Sequence, residues 1–132
     1  MQMKPREVLF AIGTLAFVTN AVAVSEAEVL YELTVVAEEL GARLPLGNAS
    51  AMIVSTVVGP GRKFTYVVAS HLPASQWTEE QKARHRKVKR ELYCSDPEMK
   101  FFRDRSVTVV FAVIDELANH IDDAATAPGD CK

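Results

Sequence analysis

AMIVSTVVGPGRKFTYVVAS, residues 51–70, sets two strand-like runs around a turn. Ala51–Val58 is rich in β-branched residues, and alternation in Phe64–Ser70 puts Phe64, Tyr66 and Val68 on one face. Runs of this composition, bounded by breakers, form strands. Gly59-Pro60-Gly61-Arg62 between them is turn chemistry. The segment therefore predicts an antiparallel hairpin whose apolar face must be covered by another layer.

Upstream, Ser25–Leu40 predicts an amphipathic helix. Val29, Leu33, Val36, Ala37 and Leu40 share one face, and Glu28, Glu32, Glu38 and Glu39 lie outside it. Ser25 with Glu28 forms a capping box, Val24 with Val29 a hydrophobic staple, and Gly41 a stop. Ala42–Asn48 reads as a connector, broken by Pro45 and Gly47. Downstream, His71–Gln76 is a second connector. Thr78 and Gln81 cap another helix, which runs to about Tyr93 with Gln81, His85, Val88 and Leu92 as its inward stripe and Trp77 continuing that side. Asp96-Pro97 starts a short helical turn through Phe102, because Asp is a good N-cap and Pro suits the first helical position. Ser106–Ile114, SVTVVFAVI, is apolar enough for a central strand buried on both faces. Asp115–Asn119 is a turn or a short helical loop, and His120–Ala127 is a weaker strand at an edge. The expected order is α-β-β-α-β-(β): an α+β fold with an antiparallel three- to four-stranded sheet and two helices on one face.

The first 23 residues carry an address. Lys4 and Arg6 precede an apolar run of 11 residues, Val8–Val18, and Ala21-Val22-Ala23 offers a small-x-small cleavage pattern. These are the three regions of a secretory signal peptide. The run is shorter than the roughly 20 residues that span a bilayer. An uncleaved signal anchor and a buried core helix are the alternatives. Cleavage leaves residues 24–132 as a single α+β domain, periplasmic or secreted, with no membrane span.

The whole chain has a formal net charge of −2, and losing the leader, which holds two basic residues and one acidic, makes the remainder more acidic. Bulk charge gives no reason to expect nucleic-acid binding. Two cysteines remain, Cys94 and Cys131. In an exported protein an even number favours a disulfide, here tying the chain end to its middle. Two separate thiols are the alternative, and without a Cys-x-x-Cys pair redox catalysis is not indicated.

Catalytic and cofactor motifs are missing from the sequence. His71, His85 and His120 have no metal-ligand spacing, and no cofactor or metal is expected. His85 falls on the inward helix stripe, where a packed, hydrogen-bonded role is expected. His120 lies near Asp115, Asp122 and Asp123, which reads as a solvated turn rather than a cation site. The serines lie in no G-x-S-x-G elbow. Ser70 and His71, adjacent in an extended segment, point apart. A hydrolase would need a convergent acid–base pair that the residues do not display.

One surface stands out. Lys82, Arg84, Arg86, Lys87, Lys89 and Arg90 put six basic residues within nine positions. A solvated helix face that partly neutralises the acidic first helix is one account. Docking of an acidic envelope protein is the second, since complementary charge speeds and orients association. Contact with anionic headgroups or cell-wall polymers is the third. The helix has only a narrow apolar stripe, which the core needs, so membrane insertion is poorly supported.

The stretch Tyr93-Cys94-Ser95-Asp96-Pro97-Glu98-Met99, the strand Val107–Val113 and the closing Asp130-Cys131 resemble small exported proteobacterial proteins of unknown function. Those proteins have a Cys-x-x-Pro segment, an apolar strand and a C-terminal Cys. In them the strand enters a tight Asp-x-x-Gly turn, whose glycine Asp115–Asn119 lacks. The resemblance covers roughly the last 40 residues and implies export and a disulfide-linked α+β domain, without transferring an activity or functional residues. The expected function is a non-enzymatic adaptor or inhibitor-like module that binds another envelope protein through Lys82–Arg90. The alternative is a small-ligand or envelope-polymer binder using the uncovered sheet face, with Trp77, Phe64, Tyr66 and Phe111 as available aromatics.

Overall fold

The computed structural model describes residues 26–48 and 51–132, so the leader and the Ser25 cap lie outside the described residues. Residues 26–41 form helix α1. The strands are β1 (Leu46–Asn48), β2 (Ala51–Val58), β3 (Lys63–Ser70), β4 (Thr108–Ile114) and β5 (His120–Thr126), and the later helices are α2 (Glu79–Ser95) and α3 (Lys100–Asp104). They build one five-stranded sheet in the order β1-β2-β3-β4-β5.

Two sheet expectations need correction. The strand count is five, because Leu46–Asn48, in the expected connector, pairs antiparallel with Ala51–Ile53. Gly47 allows the close approach: its φ is +136°, and a Cβ there would lie 2.5 Å from the Ala51 carbonyl oxygen. The sheet is also mixed rather than antiparallel. β3 and β4 pair in parallel, Phe64 opposite Val109 and Tyr66 opposite Phe111. Parallel neighbours need a long crossover, and the segment holding α2 and α3 supplies it. The expected hairpin is present as β2–β3, and β5 pairs antiparallel with β4 at the far edge.

One sheet face is covered. Phe64, Tyr66, Val109, Phe111 and Ala124 join Val29 and Leu33 of α1, Tyr93 of α2, and Met99 and Phe102 in a single buried cluster. The Tyr66 and Phe111 rings stack at 5.0 Å, and Phe64 lies 5.1 Å from Tyr66 and 5.2 Å from Phe102. Phe64 and Leu33 are wholly buried, and so is Tyr93, whose hydroxyl donates to the Val107 carbonyl at 2.7 Å. Tyr93 thus buries its ring without orphaning its polar end. β4 alternates between fully and partly buried residues, so it is central in the sheet but sealed on one face only.

Local chemistry sets the element ends. Thr78 and Gln81 form the reciprocal capping box of α2, and Asp96 accepts from the Glu98 amide. Arg103 donates to the Tyr93 and Asp96 carbonyls at 2.6 and 2.9 Å, satisfying the C-terminus of α2. α3 ends with Val107 N–H bonded to Phe102 O and Ser106 N–H to Arg103 O, Ser106 having φ +55°. This is a Schellman stop with serine in the usual glycine place. In the β4–β5 turn, Asp115 accepts from Leu117 N, Asn119 N and Asn119 Nδ2. Ala118, fourth in the run from Asp115, takes φ +66°. The turn therefore forms without glycine, held by the Asp115 carboxylate, and β5 pairs despite its absence.

Cys94 and Cys131 are bonded, their Cα atoms 5.4 Å apart and 37 positions apart in sequence. The bridge ties the last residues to α2.

Two stability predictions follow from these termini. Left-handed alanine costs about 1 kcal/mol, so Ala118→Gly raises stability by about 0.5–1 kcal/mol; an unchanged or lowered urea midpoint contradicts this. The chain-entropy model puts a loop of this length at about 4 kcal/mol. Reduction, or paired Cys94→Ser and Cys131→Ser changes, should lower unfolding free energy by up to that amount, and a midpoint insensitive to reductant contradicts it.

Candidate functional site

The six basic residues of α2 do not share one solvated face. α2 packs mainly against β5, and this contact sorts its charges. Arg86 donates to Asp122 Oδ1 from Nε at 3.2 Å and Nη2 at 2.8 Å, while His85 Nδ1 meets Asp122 Oδ2 at 3.2 Å. Asp122 is only 6% exposed. Lys89 seats its ammonium over the Phe111 ring, 4.7 Å from the centroid. Lys82 bridges Glu79 at 3.4 Å, and Arg84 reaches Glu80 at 3.6 Å across one helical turn. Lys87 and Arg90 are exposed, with no carboxylate partner among the described residues.

The inward stripe is therefore rotated from the expected one. Val88 is 50% exposed, whereas Lys82, Lys89 and Tyr93 turn toward the protein. The long stems of Lys82 and Lys89 cover apolar surface while their heads reach polar or aromatic partners. A reading that treats every lysine as outward cannot find this register.

A bulge in β5 makes the Asp122 contact. His120 pairs with Ile114 and Asp122 with Val113, leaving Ile121 as the extra residue. Bulges re-aim side chains, and here Ile121 and Asp122 are both buried. Burial alone pushes the Asp122 carboxyl up, but hydrogen bonds from Arg86 and His85 and their charges outweigh it and hold it below the usual carboxylate range. Because Asp122 accepts, His85 Nδ1 carries the proton. His85 Nε2 is buried without a hydrogen-bond partner among the described residues, and the imidazole packs edge-to-face with Trp77, ring centroids 6.1 Å apart. Trp77 Nε1 in turn donates to Ser70 Oγ at 3.2 Å.

Above this layer lies an open groove of about 340 Å³, lined by Leu72, Trp77, Gln81, Arg84, His85, Val88 and Lys89. Leu72 and Trp77 come from the segment after β3, where the chain leaves the sheet for the crossover, and the other lining residues from α2.

The other candidate residues disperse. Ser70 is buried and bonded to Leu72 and Trp77, whereas His71 is exposed and pairs with Glu116 at 3.2 Å. His120 meets Asp123 at 3.1 Å, and buried Asp115 is occupied by backbone amides including Ala74 N at 3.0 Å. Among the described residues no three His, Cys, Asp or Glu side chains gather as a metal site, and no helix is long and apolar enough to cross a membrane. The acidic face of α1 is met not by α2 but by two other arginines: Arg62 reaches Glu26 at 2.6 Å and Arg105 reaches Glu32 at 2.7 Å. Phe64, Tyr66 and Phe111 lie in the covered core, so they are not available on the uncovered sheet face.

No family model and no curated protein matches the chain. Solved structures do share its fold. A pilotin from the type 2 secretion system of Vibrio vulnificus aligns at a TM-score of 0.69 with 14% identity, covering 83% of this chain and 97% of that one. The type II secretion system pilotin of Vibrio cholerae aligns at 0.66 with 14% identity, covering 84% and 99%. An inferred secreted protein from Pseudomonas aeruginosa aligns at 0.71 with 14% identity, covering 82% and 96%. Identity this low shows a common fold. The neighbours are bacterial proteins, as are those that the stretch from Tyr93 to Cys131 resembles.

The buried carboxylate yields a pH prediction. The folded-state pKa of Asp122 lies below the unfolded value near about 3.9. Its stabilisation is therefore complete above that value and is lost as pH falls through the folded pKa. Asp122→Asn should cost about 2 kcal/mol at neutral pH, less than a fully buried pair because Arg86 is half exposed. It should also flatten the acid limb of the stability curve. A variant with the wild-type acid limb contradicts the assignment.

Proposed function

We propose that the protein is an exported, non-enzymatic adaptor that docks an acidic protein partner of the cell envelope on the outer side of α2. The observation that carries this reading is the groove at Leu72, Trp77 and Val88, mostly apolar and flanked by the cations Arg84 and Lys89, on a domain whose net charge is negative. The charges left for a partner are Arg84, Lys87, Lys89 and Arg90. Arg86 is committed to Asp122, and Lys82 is half-buried and turned toward the protein beside Glu79. Fold likeness to type II pilotins supports a role beside secretion machinery. The leader at residues 1–23 supports periplasmic or secreted delivery.

Site-specific photocrosslinking tests this. With a photoreactive side chain at Lys87, full-length protein in intact cells should give a discrete adduct with one envelope protein. Arg90→Glu should weaken that adduct severalfold through like-charge repulsion. The same probe at Val57, on the uncovered sheet face, should give none. An adduct at Val57 alone moves docking to the sheet, and adducts at neither position overturn the adaptor reading.

A further inference from the structure

The groove on α2 carries chemistry that adhesion alone does not need. Val88 is half exposed at mid-helix, facing the same hollow as Leu72 and Trp77. Lys89 is partly covered, rests on the Phe111 ring, and has no carboxylate partner among the described residues. Burial pushes its ammonium below the usual lysine range. A partly desolvated cation without a counter-charge is unfavourable, and an arriving anion relieves it. Arg84 has only the exposed Glu80 at 3.6 Å. Pairs of that kind contribute little, so the guanidinium is free to exchange partners.

We propose that this groove is a recognition slot for an acidic peptide segment of a partner protein: an apolar side chain seats between Leu72, Trp77 and Val88, and flanking carboxylates meet Arg84 and Lys89. The proposal rests on the adaptor reading and specifies the partner's chemistry. Charge placement favours a peptide over an anionic lipid surface. Glu79 and Glu80 stand exposed at the start of α2, and a flat anionic surface would meet them together with the lysines. A peptide places its carboxylates locally and avoids them. The hollow also lacks the broad apolar face that interfacial helices present.

Trp77 is the only tryptophan in the chain and lines the groove, so its emission reports occupancy. The probe is an acetylated, amidated peptide of alternating Leu and Glu, titrated into the full-length oxidised protein and followed also by amide chemical shifts on α2. A saturable change in Trp77 emission, with shifts centred on Arg84–Lys89, is expected. Arg84→Glu should weaken binding about tenfold or more, and Val88→Asp should do the same by filling the apolar seat with like charge. Both positions are exposed, so the variants should keep the wild-type Tm. The inference falls if the Leu/Glu peptide moves neither signal. It falls equally if a Leu/Lys peptide binds as well, or if anionic phosphatidylglycerol vesicles bind and the peptide does not. An adduct from the Lys87 photoprobe together with a silent groove would leave the adaptor reading standing and remove this one.

Discussion

Asp122, a carboxylate in a strand, governs how α2 lies on the sheet. A buried charge survives only when paired and hydrogen-bonded, and Asp122 has both His85 and Arg86. Those residues are adjacent on α2, so the contact orients the helix about its own axis as well as holding it down. With that orientation set, Lys89 falls over Phe111 and Val88 turns outward. The groove is the residue of this geometry. A different rotation would bury Val88 and free Arg86, and there would be no apolar hollow beside a basic rim.

The rest of the core supports that arrangement from below. Near the end of α2, Tyr93 is wholly buried and bonded to Val107 at the entrance to β4. Cys94, the next residue, ties the chain terminus to the same turn of helix. The helix is thus anchored near its C-terminus by a ring and a covalent bond, and along its middle by an ion pair. α1 is held by other means. Its apolar stripe enters the aromatic cluster through Val29 and Leu33, and its acidic residues meet Arg62 and Arg105. Arg105 also lies 3.8 Å over the Phe101 ring and donates to its carbonyl, so one side chain joins α1 to α3.

This division separates structural charge from charge available to a partner. A run of six basic residues in sequence looks uniform, yet four roles emerge: an ion pair to the sheet at Arg86, a cation on an aromatic ring at Lys89, pairs within the helix at Lys82 and Arg84, and exposed cations at Lys87 and Arg90. The same fold occurs in pilotins of two Vibrio species at 14% identity, so the scaffold tolerates wide change in side chains.

Short-range chemistry was legible in the residues. The hairpin at 51–70, the Thr78–Gln81 capping box, the Asp96 cap, the edge strand near His120 and the pairing of two cysteines all follow from neighbours within a few positions or from simple counting. The covered face of β3 was legible too, because alternation places Phe64 and Tyr66 together. Long-range pairing was not. Nothing local distinguishes parallel from antiparallel pairing of β3 with β4, since that depends on where the crossover returns. β1 was hidden because Pro45 and Gly47 look like breakers, and only contact with β2 makes Leu46–Asn48 a strand. The rotation of α2 was hidden for the same reason. Their charge marked Lys89 and Asp122 as solvent-facing, and only partners brought from far along the chain make their burial favourable. The sequence by itself determined the helices, the β2–β3 hairpin, β4, β5 and their turns, because those choices rest on backbone preference and nearby side chains. The tertiary structure alone decided which charges are buried, which remain free and where the groove opens, because these depend on desolvation and pairing between residues distant in sequence.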